Sequence, residues 1–221
     1  MGRIILTVAG PWHKRPQLDT VFSLTLGPPD PQFVDDFRAL VGSEFADGDA
    51  LAVIGQHTSL ITADLAFDGP GNLQPARDGA RLVADLFATG AVGAIVQTGF
   101  KAHSPLSFHK LELRDPRILF HLFVEVLGDD EEIATEGMCA FDLPDVIVPY
   151  GVERELGPAQ ASAFGLAARM VCDGTRPADG GVYRNTESAP LYGVSHRPAP
   201  AEEVDDPFTN ERGAWVLDFR G

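Results

Sequence analysis

Cysteine is nearly missing from this chain: Cys139 and Cys172 are its two thiols, far apart and outside any C-x-x-C pair. That spacing speaks against a zinc knuckle or a disulfide framework, and each thiol reads as a small buried hydrophobe. Long apolar runs are missing too, since no stretch reaches the roughly 18 to 20 residues that cross a bilayer as a helix. The opening Met1-Gly2-Arg3-Ile4-Ile5-Leu6-Thr7-Val8-Ala9 carries one Arg and stops at Pro11, short of a secretory leader. It is expected to be the first strand of a cytoplasmic protein. Basic residues are scarce: 17 Lys and Arg against 32 Asp and Glu give a formal net charge of -15. Such a surface repels phosphate backbones and anionic lipid, which argues against nucleic-acid and membrane partners. It suits solubility or a basic protein partner.

The familiar catalytic signatures are also lacking. There is no G-x-S-x-G elbow and no H-E-x-x-H pair, so neither an exposed serine nucleophile nor a helical zinc site is signalled. Gly69-Pro70-Gly71 precedes a helical stretch but carries neither G-x-G-x-x-G nor the Lys of a phosphate loop. It reads as a turn before a helix. Asp129-Asp130-Glu131-Glu132 lacks the alternating ligands of a calcium loop and reads as a solvated hairpin tip. No internal repeat is visible.

What is present is enough apolar residue, 44% of the chain, to fill a substantial core. Ala91 to Val96, bounded by Gly90 and Gly99, is a short apolar run expected to be a buried strand covered on both faces. Val21 to Leu26 is β-branched and aromatic. Asp30-Pro31 then opens a helix with Phe33, Val34, Phe37, Leu40 and Val41 on one face and Gly42 as its stop, the Asp capping an orphan amide and the Pro presetting the backbone. Ala50 to Ile54 and Leu60 to Phe67 read as strands. Asn72 to Ala88 places Leu73, Ala76, Ala80, Val83, Ala84 and Phe87 on one helical face.

Strand, helix, strand, strand, helix, strand is the βαββαβ order of a ferredoxin-like core, so the expected class is α+β with an antiparallel-rich sheet. Further on, Pro105 to Leu113 reads as a short helix. Alternation in Ile118 to Leu127 reads as a strand, with Glu132 to Glu136 as its hairpin partner. Asp145 to Tyr150 reads as a further strand and Pro158 to Cys172 as a helix. Residues 1–174 are therefore expected to form one α+β domain, with the ferredoxin-like core at about 19–100 and a second β-rich half after it. Residues 175–221 are Pro- and Gly-rich and read as an extended, partly mobile arm, with Trp215 to Phe219 returning as an edge strand, on this chain or on a partner copy.

Three patterns carry a resemblance: Ile61-Thr62-Ala63-Asp64-Leu65-Ala66-Phe67; Gly93-Ala94-Ile95-Val96 with Gly99 and His103-Ser104; and Thr135-Glu136-Gly137-Met138-Cys139-Ala140-Phe141-Asp142-Leu143-Pro144-Asp145. Together with the Ala-rich helix they make Val21 to Tyr150 resemble the bacterial family catalogued only as domain of unknown function 4261. Asp142 departs from that pattern, where a Gly is expected. The resemblance implies a fold grouping and no activity.

The densest polar cluster follows the buried strand: Lys101, His103, Ser104 and His109. Lys101, His103 and Ser104 are the candidate binding residues, and His103, His109 and Glu136 the candidate catalytic set. His103 and His109 could hold zinc or another divalent ion if the Pro105 segment is helical. Ser104 beside His103 does not make a nucleophile and base, because adjacent side chains on an extended segment point apart. His121 and Glu125 share a face of the expected strand but stand roughly 13 Å apart, too far to bond.

Three functions remain open. One is a non-catalytic binding or protein-interaction module, immunity-like in neutralising a basic partner. Another is a His/Glu-based, metal-dependent or acid-base enzyme centred on residues 101–109; no cofactor is identified. The third is a structural homodimer that exchanges its C-terminal arm.

Overall fold

The structure, a computed structural model, describes residues 1–41, 48–108, 111–149, 156–201, 206 and 208–220. The described elements make an α+β fold of two mostly antiparallel sheets and five helices.

The first sheet is built on β1 (Gly2–Gly10), which pairs antiparallel along its whole length with β3 (Ser59–Phe67). Outside β3 lies β2 (Ser23–Gly27). On the other side of β1 come β4 (Gly93–Val96) and then β5 (Lys101–His103), giving the order β2-β3-β1-β4-β5. All four residues of β4 are buried, as a continuous apolar run requires of a strand covered on both faces.

The two coverings are separate. Ile95 and Ala9 pack on Phe33 and Phe37 of helix α1 (Gln32–Val41) and on Ile54 of helix α2 (Gly48–Ile54). Ala94, Val96, Leu6 and Val8 face the main core with Ala80, Val83 and Leu86 of helix α3 (Gln74–Ala88). Each buried Ile or Val contributes about 1.5–3 kcal/mol before entropy is subtracted.

Helix starts follow local chemistry. Asp30 Oδ1 accepts from the Gln32 amide at 2.9 Å and Asn72 Oδ1 from the Gln74 amide at 3.0 Å. Asp115 Oδ1 accepts from the Arg117 amide at 2.9 Å, with Pro116 at the first position of helix α4 (Pro116–Phe123).

The second sheet runs β6 (Glu125–Gly128), β7 (Glu132–Glu136), β8 (Asp145–Pro149), β11 (Ala214–Phe219), β10 (Tyr192–Arg197) and β9 (Val182–Tyr183). Helix α5 (Leu156–Cys172) lies on the face whose Ile133, Val146, Val148 and Leu217 belong to the main core. The sheets join where β4 and β7 end. A side chain on Gly99 or on Gly137 would collide with the Phe123 carbonyl oxygen, and Gly137 has φ 104°, so only glycine lets these backbones approach.

Several expectations are corrected. Ala50–Ile54 is helical, so the ferredoxin-like alternation does not hold. Leu51 and Ile54, three apart, face the same cluster, and a run this short carries no decisive period. Ile118 to Phe123 is helical with Leu119, Phe120, Leu122 and Phe123 buried, and strand begins only at Glu125. Pro105 to Phe108 forms turns rather than a helix, held by the Ser107 amide and hydroxyl on the Ser104 carbonyl at 3.1 and 2.7 Å.

The segment expected to be an arm supplies β9 and β10. β11 lies inside the sheet, parallel to β8 and antiparallel to β10 of its own chain. Its few apolar residues suffice because Tyr183, Tyr192, Val194 and Leu217 all turn into the main core.

Candidate functional site

The polar residues that follow β4 divide between strand β5 and the turn after it. His103 is 6% exposed. Its Nε2 lies 2.9 Å from the Leu122 carbonyl, and its ring meets Phe108 edge-on at 5.2 Å. A carbonyl only accepts, so Nε2 carries the proton. Burial pushes the imidazole down to about 4, the Leu122 bond opposing and the Lys101 charge assisting. It is a neutral packing histidine at ordinary pH. Ser104 uses its carbonyl to hold the turn. His109 lies outside the described residues, and among those described no group of three His, Cys, Asp or Glu is arranged to hold a metal.

Lys101 turns to a partner the sequence does not announce. Its Nζ lies 2.7 Å from Glu125 Oε2, and Glu125 Oε1 accepts from the Val126 amide at 3.1 Å. In the β6–β7 ladder Glu125 stands opposite Glu136. Burial raises the Glu136 carboxyl above its usual range. Lys101 thus pairs with Glu125 on the outer strand β6, and Glu136 stands opposite Glu125 on the inner strand β7, while no hydrogen bond or ion pair joins His103 to Glu136 among the described residues. His121, on α4, packs instead against Phe164 at 5.6 Å between ring centres.

A second polar cluster lies deeper. Asp145, at the start of β8, accepts through Oδ1 from Thr135 Oγ1 at 3.1 Å and the Met138 amide at 3.3 Å, and through Oδ2 from Asn210 Nδ2 at 2.6 Å. Burial, helped by the charge of Glu136, pushes its carboxyl up to about 7 against these three donors. Nearby Cys139 is buried, its thiol on the Thr98 carbonyl at 3.7 Å and pushed up by burial, so it is not a nucleophile.

Asp142, with φ 54°, takes Arg212 Nε and Nη2 at 2.7 Å each and the Gly69 amide at 2.9 Å. Burial alone would raise its carboxyl, but Arg212 and Gly69 hold it below the ordinary range. These acids pin residues 210–212 to the domain, and their shielding from water fits a structural role better than chemistry on a substrate.

No family model, curated protein or solved structure matches this chain.

Proposed function

We propose that the protein is a non-catalytic interaction module that engages a basic partner. The observation that carries this reading is the division of its ionisable groups. Of the candidate acid-base set, His103 is buried and already bonded, as are Asp145 and Cys139, and Glu136 is half-buried opposite Glu125. The chain as a whole, by contrast, carries a formal net charge of -15, and Asp35, Asp36, Asp130 and Glu131 are among its exposed carboxylates. A general base has to reach the proton it removes, and an imidazole committed to a backbone carbonyl in the core does not. An excess of surface carboxylate steers and selects a cationic partner. The resemblance to the domain of unknown function 4261 is part of the same proposal and adds no activity to it.

The test is fluorescence anisotropy with labelled peptides of matched length, one set rich in Lys and Arg and one in Asp and Glu, at low and high salt. Binding confined to the basic set and weakened by salt is the expected result. Equal binding of the acidic set, or no binding of any basic peptide, overturns the proposal.

A further inference from the structure

Strand β6 is an outer strand of the second sheet, with no strand on its far side among the described residues. The hairpin shows which backbone groups it offers. The Asp129 amide donates to the Glu132 carbonyl at 3.1 Å. In an antiparallel ladder bonded pairs alternate with unbonded ones, so Leu127–Ala134 and Glu125–Glu136 are bonded pairs and Val126 and Gly128 turn their amides and carbonyls outward. The Val126 amide agrees, being occupied by the side chain of Glu125 rather than by β7. Beside this edge a groove of about 730 Å³ opens against α5, lined by Val126, Gln160, Ala161 and Phe164 with Glu125, Arg169 and Asn185 at its polar margin. Phe164 is 38% exposed in the groove, whereas Leu127, 42% exposed, lies with Glu125 on the other face of β6.

We propose that this edge and groove bind an extended segment of a partner protein as an added strand, its side chains alternating between apolar and basic. The inference rests on the module reading above. Alternation follows from the pleat, which sends successive side chains to opposite faces. On the face toward α5, an apolar side chain enters the groove beside Phe164. On the other face it meets Glu125 and Glu136 standing opposite each other. Like charges across a ladder repel, and the single Lys101 neutralises one of the two. A Lys or Arg from the added strand neutralises the second, and the carboxylates of Asp129 to Glu132 at the hairpin tip extend the same preference. Arg169, also at the groove, donates to the Asn185 carbonyl and lies over the Tyr183 ring, and its positive charge there favours apolar over basic side chains on the α5 face of the added strand. Charge also decides against a second copy of this chain as the occupant: pairing β6 with itself sets these acidic edges against each other.

The experiment uses the full chain and two labelled peptides of identical composition, one alternating Val and Lys, one with Val and Lys in separate blocks, read by anisotropy. The alternating peptide is expected to bind more tightly by tenfold or more. Val126→Pro removes the outward amide, which Glu125 Oε1 holds in the free protein and an added strand takes over, at a position where an edge strand tolerates proline. Phe164→Ala and Glu136→Gln change the groove and the charge without touching the backbone. Each is expected to weaken the alternating peptide by roughly tenfold, the scale of one hydrogen bond or apolar contact. Indifference to peptide order, with all three variants binding as the parent does, overturns the edge assignment and leaves the module reading standing. Failure of every basic peptide overturns both. A dimer in light scattering that Val126→Pro dissolves assigns the edge to a second copy and overturns the partner proposed here.

Discussion

The Asp142 carboxylate and the Arg212 guanidinium meet in a two-point ion pair, Nε and Nη2 each 2.7 Å from one carboxylate oxygen. The two residues are far apart in sequence, and the Asp142 side chain is fully buried while Arg212 is 35% exposed. Arg212→Ala leaves a buried carboxylate with the Gly69 amide and the more distant Met1 amine at 3.6 Å. It should cost about 3 kcal/mol, the lower end for breaking a buried pair because one partner reaches solvent. Arg212→Lys should recover only part of this, since an ammonium cannot make both contacts at once. Urea unfolding midpoints of the three proteins check the order. The depressed carboxyl of Asp142 also means that its stabilisation is present above the unfolded value near 3.8 and lost as pH falls below it.

Gly137 should tolerate nothing larger. Its φ of 104° is strained for any side chain, and the added atom would collide with the Phe123 carbonyl and approach the Gly99 Cα to 2.9 Å. Gly137→Ala is expected to lose about 3 kcal/mol or more through strain and forced separation of the sheets. Gly174→Ala, with φ 69° but open space around it, should lose only about 1 kcal/mol for its backbone conformation. Thermal melts of the two variants separate crowding from backbone strain.

The clearest signals in the sequence were local ones. Asp30-Pro31 marked the start of α1, and the buried run at β4 marked its own two-sided covering. The same Asp-Pro pair recurs at Asp115-Pro116 and starts α4. There the alternation of Ile118, Phe120 and Leu122 masked the helical grouping of Leu119, Phe120, Leu122 and Phe123. Ala50–Ile54 had no period long enough to show its helix. The low apolar content of residues 175–213 concealed a segment held by widely spaced anchors, Tyr183, Tyr192 and Val194 on the core and Asn210 and Arg212 on acids more than sixty residues earlier.

The polar sites were less legible for the same reason. Lys101 and His103 stood out as a cluster, but the partners that define them, Glu125 and the Leu122 carbonyl, come from β6 and α4. Asp145 gave no motif at all, because its three donors arrive from β7, a short helical turn and the C-terminal segment.

Two buried groups should give the protein opposing pH dependences over one window. For His103, with an unfolded value near 6.5 and a folded value of about 4, the unfolded chain binds more protons between these limits. Its contribution to stability is therefore lost as pH falls from 6.5 towards 4. For Asp145, with 3.8 unfolded and about 7 folded, the folded chain binds more protons, and stability is lost as pH rises from 4 towards 7. Each slope is at most about 1.4 kcal/mol per pH unit, and where the windows overlap they largely cancel. The parent should show only a shallow dependence there from these groups. His103→Gln, which keeps a donor for the Leu122 carbonyl but cannot titrate, should become less stable as pH rises. Asp145→Asn should become more stable as pH rises, from a lower starting point because its amide faces the Asn210 amide. Denaturant unfolding at pH 4.5 to 7.5, with the His103 ring followed by NMR, checks both. Parallel curves for all three proteins, or a His103 ring that titrates near 6.5, would show that these groups are not sealed as their hydrogen bonds require.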